Sequence, residues 1–123
     1  MKINTNGSLS LEKAAFCFVA LGSEQRLSIL KILVRSGPVG LTIGELGERS
    51  GVTGSTLTHH MKILTQAGMV EQKKNGRSII CAAISFDKIQ KLSDFLLQDC
   101  CVDTKVTCDD WRNQFSENLQ IDW

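Results

Sequence analysis

Residues 41–70 read "LTIGELGERSGVTGSTLTHHMKILTQAGMV". Thr42 stands where a helix N-cap would, just ahead of the apolar pair Ile43 and Leu46. Ser50-Gly51-Val52 supplies a tight turn. Thr53 then opens a further helical period in which Leu57, Met61 and Leu64 share one face, and Gly68 follows at the position where helices commonly close. Two short helices joined by a glycine-containing turn are the sequence form of a helix-turn-helix.

Immediately downstream, "VEQKKNGRSIICAAI" (70–84) holds two strand-like runs around Asn75-Gly76, a dipeptide suited to a two-residue type I′ hairpin. Lys73, Lys74 and Arg77 then gather at the hairpin tip. A hairpin directly after a helix-turn-helix is a wing, and the order of these pieces says more than any one of them.

Upstream, Leu11, Ala14, Ala15, Phe18 and Leu21 recur at helical spacing until Gly22. Ser23 caps a second helix with Leu27, Leu30, Leu33 and Val34 facing inward, and Gly37-Pro38 closes it. Met1–Gly7 is polar and expected to fray. On the far side, Ser85 caps a long helix, "FDKIQKLSDFLLQDCC", whose apolar residues are Phe86, Ile89, Leu92, Leu96 and Leu97. Thr107 and Asp110 resemble a capping pair for a short tail helix striped by Trp111, Phe115 and Leu119. The expected fold is mainly α with a small β-hairpin, a winged helix-turn-helix over 1–99 followed by a tail over 100–123.

The 123 residues suit one domain with a single modest core. No apolar run is long enough to span a bilayer, and Met1-Lys2-Ile3-Asn4 lacks a secretory start, so a cytoplasmic protein with no membrane partner is expected. Net charge is +1 but uneven: residues 53–80 carry Lys62, Lys73, Lys74 and Arg77 against Glu71 alone, while residues 81–123 carry eight acids against four bases. A basic middle beside an acidic tail suits one face for a polyanion. No nucleophile–base pairing, phosphate-cradling glycine loop or paired carboxylates argue for an enzyme or a catalytic cofactor.

The second helix of a helix-turn-helix enters the major groove with its first turns at the base edges. Here those turns carry Ser55, Thr56, Thr58 and His59, with Lys62 placed for a phosphate. Lys73, Lys74 and Arg77 on the wing would meet backbone or minor groove. His60 falls nearer the apolar face, where a hydrogen-bonded core histidine is expected. Double-stranded operator DNA is the expected partner.

The stretch from Ala20 to Arg77, most specifically "STLTHHMKILTQAGMVEQKKNGR", resembles the ArsR/SmtB family of winged-helix repressors. The resemblance covers just under half of the chain. It implies a homodimer built on the first and last helices, bound to an imperfect palindrome over a promoter and released by a metal or metalloid. Gly54 departs from the longer polar residue, often Gln, that many relatives carry there.

Family members differ in where their sensing ligands sit. The positions matching a Cys-x-Cys pair in the helix-turn-helix are Thr42 and Gly44, and no histidine lies between Phe86 and Gln98 for a zinc site on the last helix. Cys100, Cys101 and Cys108 resemble the branch that binds trivalent arsenic through consecutive cysteines after the last helix plus a third shortly beyond. The chemistry agrees: soft thiolates select thiophilic ions, and As(III) or Sb(III) favours a pyramid of three sulfurs. Structural zinc would need a fourth ligand, here Asp103, Asp109 or water. Neighbouring side chains on a helix diverge, so Cys100 and Cys101 can share an ion only where the helix ends or distorts. Cys17 and Cys81 are expected in the core. The reading is a homodimeric repressor released by As(III) or Sb(III) on three cysteines, with a thiol redox or persulfide switch as the alternative.

Overall fold

A computed structural model of the chain describes residues 9–107, 109–110 and 112–113. Among the described residues the elements through position 97 follow in order: α1 (Leu11–Leu21), α2 (Glu24–Ser36), β1 (Leu41–Thr42), α3 (Ile43–Ser50), α4 (Gly54–Gln66), β2 (Val70–Asn75), β3 (Ser78–Ala83) and α5 (Phe86–Leu97). A single 3₁₀ turn, Gly37–Val39, links α2 to β1. The fold is the expected winged helix-turn-helix, enlarged by a strand that periodicity did not reveal. Two residues are too few to show alternation, yet β1 pairs antiparallel with β3, giving a three-stranded sheet in the order β1-β3-β2.

Helix starts are fixed by short polar side chains. Ser23 Oγ accepts from the Arg26 amide at 3.4 Å, and Thr42 forms a reciprocal box with Glu45, at 3.1 Å and 2.9 Å. Ser85 occupies the N-cap of α5 without a side-chain bond. Past the end of α4, the Met69 amide reaches the Leu64 carbonyl and the Gly68 amide reaches Thr65. With Gly68 at φ 73°, this is a Schellman closure, and Leu64 and Met69 are both buried beside it.

Ile29 and Leu33 of α2, Leu46 of α3, Met61 and Leu64 of α4, Met69 and Cys81 form the fully buried centre. Two expectations about facing need correction. On α2 the inward face is Ile29, Leu30 and Leu33, while Leu27 and Val34 stand about half exposed, on a side that the described residues leave open. On α1 the buried stripe is Ala14, Cys17 and Ala20. Small residues line the close helix contact, and Leu11 and Ala15, expected inside, are exposed together with Phe16 and Val19. α1 is therefore apolar on both faces.

The hairpin also differs. β2 and β3 pair Asn75 with Ser78 and Gln72 with Cys81, which centres the two-residue turn on Gly76-Arg77. Gly76 has φ 65° and Arg77 is outside the left-handed region, the pattern of a type II′ turn. The expected type I′ turn on Asn75-Gly76 would set Lys74 directly opposite Arg77, and like charges so placed repel. The observed register faces Lys74 with Ile79 instead.

α5 ends at Leu97, so residues 98–101, expected as helix, lie beyond it. Of its apolar residues only Leu92 is buried, whereas Phe86, Leu96 and Leu97 are exposed. Among the described residues no helix is long and apolar enough to cross a membrane. The capping pair foreseen for the tail is present: the Thr107 amide donates to Asp110 and the Asp110 amide to Thr107 Oγ1, at 3.2 Å and 3.1 Å. Met1–Ser8, Trp111, Phe115 and Leu119 lie outside the described residues.

Candidate nucleic-acid interface and thiol site

On α4, Leu57, His60, Met61 and Leu64 turn inward, and the helix packs against α1, α2 and β2. At 100° per residue the opposite stripe is Ser55, Thr58, His59, Lys62 and Gln66, all exposed, with Thr56 exposed at its flank. Gln66 was not singled out from sequence; its place one turn beyond Lys62 was the available signal. The Thr58 hydroxyl donates to the Gly54 carbonyl at 3.3 Å, which leaves its lone pairs as acceptors. Gly54 itself has φ 62°, so regular helical geometry begins at Ser55.

Lys73, Lys74 and Arg77 are all exposed on the wing, but they do not form one cluster. Successive strand residues point to opposite faces, so Lys73 and Lys74 diverge and only Arg77 occupies the turn. Lys73 Nζ lies 3.9 Å from Glu71 on the same strand face. Such an exposed pair is weak, but it partly neutralises Lys73. Lys74 and Arg77 thus carry the undiminished positive charge of the wing.

Just past α5 the chain makes a run of tight turns. The Cys100 amide bonds the Leu97 carbonyl and the Val102 amide bonds Asp99. Asp99 and Cys101 adopt φ of 61° and 64°, values uncommon for residues with a Cβ. This is the departure from helix that a shared ligand requires, and it brings Cys100 Sγ and Cys101 Sγ to 3.4 Å. Two sulfurs bonded at ~2.3 Å to one ion stand roughly 3.4–3.8 Å apart, across pyramidal to tetrahedral angles. The pair suits a shared thiophilic ion. Both thiols line a surface depression of ≈ 250 Å³ together with Leu96 and Leu97. Among the described residues no three His, Cys, Asp or Glu side chains gather as a metal set. Cys108, the third expected ligand, lies outside the described residues.

The remaining thiols are core groups, as expected. Cys17 is buried and donates to the Ala67 carbonyl at 3.4 Å, and Cys81 accepts from Gln72 at 3.8 Å. Burial pushes both thiols above their ordinary pKa, which keeps them protonated and poor ligands.

An exposed polar stripe on the second helix of a helix-turn-helix, flanked by a basic β-hairpin, defines the winged-helix class of DNA-binding proteins. A helix-turn-helix domain family matches residues 21–73. The chain is 37% identical over 65 residues to the HTH-type transcriptional regulator MJ1325 of Methanocaldococcus jannaschii, covering 53% of this chain and 71% of that one. It is 38% identical over 61 residues to YceK of Bacillus subtilis, also an HTH-type transcriptional regulator, covering 50% of this chain but only 60% of the relative's length. The chain belongs to the helix-turn-helix transcriptional regulators.

Solved structures agree on the fold. An ArsR family transcriptional regulator, RHA00566, superposes with a TM-score of 0.65 at 21% identity, over 81% of this chain and 99% of that one. Reduced HlyU from Vibrio cholerae gives 0.56 at 27% identity, over 73% and 90%. A homodimeric winged helix-turn-helix domain from Mycobacterium bovis gives 0.59 at 18% identity, over 73% and 82%.

Proposed function

We propose that two copies of this chain pair through α1 and α5, set their α4 helices into successive major grooves of a promoter operator, and repress transcription until trivalent arsenic or antimony is captured by Cys100, Cys101 and Cys108. The observation that carries the reading is the 3.4 Å approach of two adjacent thiols just beyond the end of α5. Three thiols exchanging for the three hydroxides of arsenous acid release three waters and leave a neutral site, so no buried charge opposes capture. Drawing Cys108 toward the end of α5 would tie the tail to the pairing surface. Coupling of that kind typically amounts to about 1–3 kcal/mol, or about 5- to 150-fold in DNA affinity.

Binding of the chain's own promoter fragment, titrated with arsenite under reducing conditions, tests this. Arsenite should release the wild type within that range. Cys100→Ser, Cys101→Ser and Cys108→Ser should bind DNA as the wild type does and ignore arsenite. Serine variants that are still released would defeat the metalloid reading. Release by peroxide or persulfide but not arsenite would favour oxidation of the same thiol pair.

The wing supplies a second expectation. Lys74→Ala with Arg77→Ala should weaken binding to operator and unrelated DNA alike, and should flatten the plot of log affinity against log salt by about 2, close to one per lost phosphate contact. An unchanged slope would remove the wing from the interface.

A further inference from the structure

His60 lies on the inward face of α4, 8% exposed, in the opposite direction from the operator-facing stripe. Its two ring nitrogens meet different partners on α2: Nδ1 is 3.2 Å from Arg26 Nη1, and Nε2 is 2.7 Å from Gln25 Oε1. Arg26 Nε in turn donates to the Ala20 carbonyl at 2.6 Å, one of the acceptors left over at the end of α1. These bonds fix the proton. A guanidinium only donates, so Nδ1 must carry a lone pair, and Nε2 must hold the hydrogen that Gln25 accepts. One hydrogen-bonded chain therefore joins α1, α2 and α4, and it closes only with a neutral imidazole.

The other inward residues of α4 are Leu57, Met61 and Leu64, whose contacts do not fix direction. Hydrogen bonds do, since they weaken steeply as angles depart from linear. A helix with side chains has a radius of about 5–6 Å, so a turn of ~20° about its axis would carry Ser55 or His59 roughly 2 Å sideways. That is enough to lose a hydrogen bond to a base edge. We infer that Gln25 and Arg26 are positioning residues for the recognition helix, setting the rotation of α4 through His60. The inference rests on the proposed reading of α4 as the helix that enters the groove.

The titratable groups acting on His60 are Arg26 from α2 and His59 beside it on α4, both basic. Burial, then Arg26, then His59, hold its pKa below the ordinary 6.5. The unfolded chain therefore takes up this proton first. The contact contributes fully above pH 6.5, and its contribution declines as pH falls from there toward the lower folded value. A proton on Nδ1 would set donor against donor and cation against cation.

The test uses the full chain with His59 in place, since His60→Gln retains that second imidazole and controls for its titration. Long-range proton–nitrogen NMR should show the Nε2–H tautomer of His60 at pH 7.5. Affinity for the promoter fragment should fall as the pH is lowered from 7.5 to 5.5. His60→Leu should bind weakly at both pH values. His60→Gln, whose amide can accept from Arg26 and donate to Gln25, should recover affinity over His60→Leu and keep only the pH dependence that His59 contributes. An Nδ1–H tautomer, or a His60→Gln variant with the wild-type pH profile, would overturn the inference while leaving the operator reading intact. A promoter fragment bound at no pH would sink both, and the NMR spectrum would still report whether the three-helix contact exists.

Discussion

Gly40→Ala should lose roughly 4 kcal/mol or more of folding stability, whereas Gly37→Ala, three residues earlier, should lose only about 1–3 kcal/mol. The two glycines have nearly the same backbone, φ 68° with ψ −164° at Gly37 and φ 73° with ψ −168° at Gly40. Any side chain pays a similar conformational cost in that region. Their surroundings differ. A Cβ on Gly37 would meet nothing within 4 Å, but one on Gly40 would lie 2.3 Å from the Cys81 carbonyl oxygen and 3.1 Å from Ile80 Cγ2. The Cys81 backbone cannot retreat, because Cys81 is fully buried and pairs with Leu41 on one side and Gln72 on the other. Relief must come from β1 peeling off β3, which would expose Leu41 at the root of the helix-turn-helix. Urea unfolding of both variants followed by circular dichroism gives the comparison. Equal losses would show that Gly40 is retained for its angles alone and that the close approach of β1 is unimportant.

That contrast marks where the sequence stops being informative. The spacing of Leu57, Met61 and Leu64, the Thr42–Glu45 box and the Gly68 closure are local signals, and local signals fix the helix-turn-helix. β1 is a tertiary strand, legible only when β3 is already in place beside it. The hairpin register failed for a subtler reason. The expected and observed pairings differ by two residues on β3, so both keep Cys81 and Val70 on the same face, and hydrophobic alternation cannot separate them. The repulsion between Lys74 and Arg77 can, and weighing it would have moved the turn to Gly76-Arg77.

The candidate sites were legible to different depths. Hydroxyls and His59 on one stripe of α4 followed from the 3.6-residue period alone. For the thiols, adjacency in sequence left open whether Cys100 and Cys101 diverge on a helix or converge beyond one. The positive φ at Asp99 and Cys101 decides that, and nothing in "QDCC" announces it. The Arg26–His60–Gln25 contact was half visible: His60 fell near the apolar face, but its partners lie 34 and 35 residues away. Long-range polar pairs of this kind have no periodic signature.

The largest functional effect should come from charging the exposed apolar faces of α1 and α5. Val19 and Leu96 are 71% and 66% exposed in the isolated chain. Phe16 and Leu11 flank the first, and Leu97 flanks the second. α1 already spends its small residues on the core, so this outward apolar face has no role in the folding of one chain, and patches of that kind mark association surfaces. In a two-fold pairing each substitution appears twice, and each would place an uncompensated charge in the contact. Val19→Glu with Leu96→Glu should therefore yield a monomer by sedimentation at micromolar concentration. The melting temperature of the chain itself should move little, because exposed positions contribute within about 0.5 kcal/mol. DNA affinity should drop far more. Two linked recognition helices gain on the order of 10²–10⁴ over one through effective concentration, and the monomer forfeits that factor while its α4 stripe is untouched. Arsenite should no longer alter what binding remains, since the proposed thiol site acts through the pairing of α5 rather than through α4. A double variant that stays dimeric, or a monomer that grips the operator as the wild type does, would separate the apolar faces from function.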